Sequence, residues 1–269
     1  MVRVVKHDRD RAVRLSPELV RALAAQGSRT NAAWEQAREE RDFNVYRPEL
    51  EKMIALKIEQ ADALKEGDER YDAMLDAFEP GMTTAELEPL LNGLRAELVP
   101  FARRVLDAPQ PDDAVMRQDY PRDAQWDFSL EVLRELCFDF DAGRQDVSSH
   151  PFTGGPGPTD VRLTTRVNER FLPMCVLSTI HEAGHGLYEQ GQNPAYLRTS
   201  IGRAPSLGLH ESQSRFYEHV LGGSEAFWEH MLPIARRYFP TPSSCAGKCW
   251  RAIGSMCSQN ASEPPSTCS

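Results

Sequence analysis

The sequence predicts a mainly α fold with a small β component. Apolar residues at helical spacing behind capping signals recur through the first half, and only one stretch alternates with the two-residue period of a strand. The best apolar run, Phe171 to Ile180, is broken by Pro173, Ser178 and Thr179 and falls well short of the roughly 18 residues that a membrane span requires. At 269 residues, with 41% hydrophobic and 26% charged side chains, the chain can bury a real core. A net charge of −9 disfavours phosphate backbones, so neither nucleic acid nor a membrane is an expected partner. The opening MVRVVKHDRDR has no apolar secretory core, and a cytoplasmic location is expected.

Ser16, Pro17 and Glu18 ahead of Leu19, Val20 and Leu23 supply a cap, a first-turn proline and apolar spacing, so a helix should open there and stop near Gly27. Asn31 is placed to cap a second helix through Trp34, Ala37 and Arg38. Pro48 should open a third, carrying Met53, Leu56, Ala63 and Leu64 among charged neighbours. Thr84, with Glu86 and Glu88 in the first turn, begins a helix toward Leu106 that Pro109 and Pro111 end. Gln125 to Phe140 has near-helical apolar spacing, with Gly143 as its stop. Three prolines and three glycines between His150 and Pro158 predict a loop, and Asp160 to Val167 then alternates as a strand. Met174 to Gln190 is expected to be a largely buried helix ending at Gly191. Leu209, Phe216, Val220 and Leu221 give the apolar face of a further helix.

The chemistry concentrates in HEAGH, residues 181 to 185. Histidines four apart project from one helix face, where two imidazoles can grip one zinc ion. Glu182 adjoins the first of them, so its carboxylate can take a proton from a water that the metal makes acidic and later pass it to a leaving amine. Composition alone yields roughly 0.015 such matches per chain, which makes accident a weak explanation. The bland alternative is a histidine pair satisfied by core hydrogen bonds. Small Ala183 and Gly184 favour the metal reading, because they let a second helix pack closely. A catalytic zinc takes a third protein ligand. Glu211, in GLHESQSRFYEH, is the strongest candidate, with Glu189 and Glu218 as rivals.

Four motifs in order then resemble one family, the carboxypeptidase Taq metallopeptidases: HPF at His150 to Phe152, DVRLT at Asp160 to Thr164, HEAGH at His181 to His185, and HESQSR at His210 to Arg215. Weaker similarity runs from Trp34 and Phe43 through FEPGMT at Phe78 to Thr83 and on to RYFP at Arg237 to Pro240. The resemblance implies a helical, zincin-like metallopeptidase with a small β-sheet beside a deep active-site groove. It implies a metal-dependent carboxypeptidase that takes peptide substrates, commonly as a homodimer. Carried over residue by residue, it makes His181, His185 and Glu211 the metal ligands and Glu182 the general base and acid. His150, Asp160, Arg162 and His210 would line or support the cleft. Zinc is the expected ion, and cobalt or manganese also suits a His/His/Glu set.

Family members are roughly twice this length, so the chain is expected to be truncated at both ends. Residues 1–239 should form a partial helical metallocarboxypeptidase domain. Residues 240–269 hold seven serines, four prolines and four cysteines beside a single acid, Glu263. This aberrant tail, 240–269, is expected to be disordered or frame-shifted. One permitted set of codons for Met256 to Thr267, read two bases on, encodes VQPERIRTAEYL, which resembles the family's next motif. Cys245 and Cys249 have a spacing that suits a metal or a disulfide, yet no paired CxxC or histidine pair accompanies them. Two other functions fit these residues: a zinc endopeptidase with an open-ended cleft, and a catalytically inactive fragment that binds zinc or a partner chain.

Overall fold

The computed structural model describes residues 1–109 and 114–240, and it divides into two compact units, Met1–Phe101 and Ala102 onward. In the first unit, α1 (Val2–Arg14) precedes α2 (Pro17–Glu40), which Ser16 caps by accepting from the Leu19 amide. One helix stands where two were expected. Gly27 costs a helix interior only about 1 kcal/mol, and its Cα faces Met53, so the helix runs through it and stops at Arg41 in the left-handed region (φ 56°). Asp42 then caps α3 (Phe43–Leu64), and the two-residue link makes α2 and α3 an αα-hairpin. Pro48 lies inside α3 rather than at its start, one turn in, where its missing N–H removes a single helical bond.

Gln26 is buried between these helices and donates to the Glu49 carboxylate at 2.7 Å and to the Glu49 carbonyl at 3.0 Å. The short α4 (Arg70–Leu75) leads to α5 (Thr84–Asp107). A reciprocal capping box opens α5: the Glu86 carboxylate accepts from the Thr83 amide, and the Glu86 amide donates to the Thr83 hydroxyl. The cap is therefore Thr83, one residue before the expected position. Pro111 lies outside the described residues.

In the second unit, α6 spans Arg122–Glu135, shorter than expected, because Cys137 adopts φ 63° and the Phe138 amide closes back on the Leu133 carbonyl. Gly143 does not stop this helix; it begins β1 (Gly143–Val147), where a Cβ would collide with the Val161 carbonyl. The Pro/Gly stretch read as a loop contains an edge strand, β2 (Thr153–Gly157), since glycines allow the close approach to Asp160 and an edge tolerates Pro156. β3 (Asp160–Thr165) is central in the order β1-β3-β2, parallel to β1 with Gly143 opposite Val161 and antiparallel to β2 with Thr153 opposite Leu163. It ends two residues earlier than the alternation suggested.

α7 (Leu172–Gln190) packs on β3 through Ala183 and Leu187 and on α6 through Val176 and Ile180. α8 (Leu207–Arg215), capped by Ser206, continues into a π-helical turn, Phe216–Leu221, and α9 (Glu225–Tyr238) closes the core with Trp228 and Met231 against Phe128 and Val132. Of the expected apolar face, Leu221 packs against the core while Leu209, Phe216 and Val220 are exposed; α8 meets α7 through its small side, Ser214, instead. Among the described residues no helix is long and apolar enough to cross a membrane. The expectations for the Cys-rich tail, including Cys245 and Cys249, concern residues 241–269 and lie outside the described residues.

Candidate metal centre

α7 places His181 and His185 on one face, their rings 5.0 Å apart between centroids. α8 can approach this face because Gly184 lies between the histidines: a Cβ there would stand 2.7 Å from Ser214 Cα. That contact delivers Glu211, whose Oε2 lies 3.3 Å from His185 Nε2 and 3.9 Å from His181 Nε2. One donor atom from each of the three residues falls within 4.8 Å of the others. Ligands about 2.0–2.1 Å from a tetrahedral cation sit about 3.3–3.4 Å from one another, so two imidazoles and a carboxylate in this arrangement suit a single divalent ion.

Outer partners orient the ligands. Glu218 Oε2 lies 2.8 Å from His181 Nδ1, and His210 Nδ1 lies 2.5 Å from His185 Nδ1, so both ligand rings turn Nε2 inward. Arg215 donates to Glu211 Oε1 at 2.7 Å, which leaves Oε2 for the ion, and also reaches Glu218 at 3.2 Å. Glu189 Oε1 lies 2.6 Å from His210 Nε2. The two rival third ligands thus serve as partners to histidines: Glu218 behind His181, Glu189 behind His210.

The charges respond to these neighbours. The Glu218 hydrogen bond holds His181 above its ordinary value, while burial, with His210 and His181 adding to it, pushes His185 down to about 4. Burial alone would raise the Glu211 carboxyl, yet the Arg215 hydrogen bond and the charges of His181, Arg215 and His185 hold it below the usual range. Glu182 is buried, and that burial pushes its carboxyl above the usual range despite a 2.6 Å hydrogen bond donated by the Thr153 hydroxyl.

The structure therefore brings together His181, Glu182, His185, His210 and Glu211. His150 is exposed, ties its Nδ1 to the Pro151 carbonyl at 2.6 Å, and lies near enough to Glu182 to act on its charge. Asp160 and Arg162 pair with each other in a bidentate bridge, 2.9 and 2.7 Å, on the exposed side of the sheet. Thr153 was not anticipated: it sits in a Pro/Gly stretch without periodicity, and only the pairing of β2 with β3 brings it to Glu182.

A sequence model of the carboxypeptidase Taq (M32) metallopeptidase family matches residues 1–252. The chain is 41% identical over 240 residues to thermostable carboxypeptidase 1 of Thermus thermophilus, covering 86% of this chain and 47% of that protein. To thermostable carboxypeptidase 1 of Pyrococcus furiosus it is 35% identical over 242 residues, covering 87% of this chain and 48% of that protein. It superposes on the crystal structure of the M32 carboxypeptidase from Deinococcus radiodurans R1 with TM-score 0.82 at 36% identity, over 94% of this chain and 51% of that one. The chain spans about half the length of the relatives it matches.

Proposed function

Because the chain belongs to the carboxypeptidase Taq (M32) metallopeptidases, we propose that it is a metal-dependent carboxypeptidase hydrolysing the C-terminal peptide bond of peptides, with zinc held by His181, His185 and Glu211. The observation that carries this is the convergence of two Nε2 atoms and Glu211 Oε2 beside a buried glutamate. The cation would supply Lewis acidity to the scissile carbonyl and to the attacking water. Glu182 takes the proton from that water, and its burial makes it a stronger base than an exposed glutamate. Thr153 holds Oε2 of Glu182 in place, leaving Oε1 to the water, and the same carboxyl then gives its proton to the leaving amine. Arg215 keeps Glu211 ionised and fixed. In this reading His150, whose charge acts on Glu182 from an exposed position, and His210, on the cavity beside Thr153, are the two cleft candidates placed to meet substrate.

The test loads the purified chain with zinc, offers an N-blocked dipeptide, and measures free C-terminal amino acid beside a Glu182→Gln control with metal quantified in both. Release that disappears in the control at equal zinc content is the expected result. Stoichiometric zinc without release from either protein would reject the activity for this chain. Cleavage of an internal bond in a longer, C-terminally amidated peptide would make it an endopeptidase.

A further inference from the structure

His185 and His181 are supported differently. His181 faces a carboxylate directly, whereas His185 faces a second imidazole, and only behind that ring does an anion stand. Both pairs are interleaved along the two helices: α7 contributes His185 and, one turn on, Glu189, and α8 contributes His210 and, next to it, Glu211. The His185 and His210 side chains are 13% and 15% exposed, so protein groups rather than bulk water decide where their protons lie.

Hydrogen-bond bookkeeping along this chain has one solution compatible with metal binding. A ligating Nε2 needs its lone pair, so the single ring hydrogen of His185 sits on Nδ1 and points at His210 Nδ1. His210 Nδ1 then accepts, its own hydrogen lies on Nε2, and Nε2 donates to Glu189 Oε1 across 2.6 Å. The hydrogen in the 2.5 Å contact between the two Nδ1 atoms is thus that of His185, whose Nε2 faces Glu211 Oε2. We propose that Glu189 and His210 form a relay that fixes His185 in its Nδ1–H tautomer and so prepares its Nε2 as a metal ligand before any ion arrives. His210 is thereby a positioning residue. The inference rests on the metal site described above, but its tautomer prediction concerns the metal-free chain. Tyr188, whose ring lies 4.7 Å from that of His210, supports the relay from the side.

A competing role comes from a cavity of about 130 Å³, framed by Gly154, Gly155 and Gly157 of β2, on which His210 and Glu189 also border. If His210 contacted substrate there, its replacement would raise KM and leave metal affinity alone. The two roles separate in three proteins: wild type, His210→Phe, which keeps a ring but offers no acceptor, and Glu189→Gln, whose amide oxygen still accepts from His210.

Histidine-selective nitrogen-15 spectra of the metal-free chain should show His185 as Nδ1–H in wild type and in Glu189→Gln, and shifted toward Nε2–H in His210→Phe. Zinc competition against a chromophoric chelator should give an affinity about 10–100-fold lower for His210→Phe, the usual loss for an outer partner, and within about threefold of wild type for Glu189→Gln. An Nε2–H His185 in wild type would overturn the proposal, as would a His210→Phe chain with unchanged zinc affinity and raised KM. If His210→Phe does not fold, Glu189→Leu serves in its place, and the wild-type spectrum alone remains decisive. A wild-type chain that shows the Nδ1–H tautomer and binds zinc yet releases no amino acid would reject the activity and leave the relay standing.

Discussion

Replacing Gly184 by alanine tests how the third ligand is delivered. The added Cβ would stand 2.7 Å from Ser214 Cα and 3.0 Å from the Gln213 carbonyl oxygen. Carbon pairs rest at about 3.5–4.0 Å, so α8 must retreat by roughly 1 Å. Neither obstacle is a movable side-chain tip; both are backbone. Glu211 lies one turn before Ser214, whose hydroxyl donates to the Glu211 carbonyl at 2.8 Å, so the retreat carries the ligand with it. Metal–ligand lengths tolerate only about 0.2 Å. The overpacking strain is about 1–3 kcal/mol, equivalent to about 5–150-fold in affinity. Chelator competition for zinc, with thermal unfolding in excess chelator, reads both ways the strain can appear: as weaker binding if α8 has moved, as a lower midpoint if it has not. Gly93→Ala in α5, where an added Cβ meets nothing within 4 Å, is the control and should be neutral or stabilising. A Gly184→Ala chain with zinc affinity within about twofold of wild type and an unchanged midpoint would refute the idea that the α7–α8 contact sets the ligand distance.

Other outcomes follow from the same geometry. Glu218→Ala removes the carboxylate behind His181, and zinc affinity by competition should fall about 10–100-fold. In the metal-free chain Glu182 titrates above the ordinary value of about 4.3, so its ionisation disfavours folding: that stability is present below the unfolded value and is lost as pH rises through the folded one. Glu182→Gln should therefore unfold at a higher temperature than wild type near pH 7.5, and the gap should close by about pH 4; a gap that widens on acidification would contradict the shift. Phe128 is fully buried among Val132, Trp228 and Met231, and Phe128→Ala should cost about 3–5 kcal/mol in denaturant unfolding. α5 exposes Leu90, Leu91, Leu94 and Leu98, so the chain should self-associate at micromolar concentration, which a clean monomer in light scattering would disprove.

Features written locally could be read from the sequence. Ser16 and Asp42 act through neighbouring amides, HEAGH needs only helical spacing to align two rings, and Gly184 announces a close helix contact by having no side chain. Asp42 is such a local signal, but Pro48, six residues on, competes with it as a helix start and the two differ only in what the fold does next. What failed depended on distant partners. Gly27 and Gly143 look alike as helix stops, but one faces Met53 and the other a β3 carbonyl, and nothing nearby distinguishes them. β2 lacks alternation because its glycines answer to Asp160, so Thr153 could not be placed at Glu182. Likewise Glu189, Glu211 and Glu218 are three helix carboxylates, and their division into one candidate ligand and two histidine partners comes from how α7 meets α8 and from the π-helical turn that carries Glu218.

The central claim is that α7 and α8 alone complete a one-ion site. X-ray absorption at the zinc edge, on chain loaded with one equivalent of metal, tests it most directly. The predicted result is one bound ion per chain with only nitrogen and oxygen neighbours at about 2.0–2.2 Å, lost in Glu211→Ala. Sulfur at about 2.3 Å would place the ion on cysteines, and a spectrum unaffected by Glu211→Ala would remove that residue from the site; either result contradicts the account.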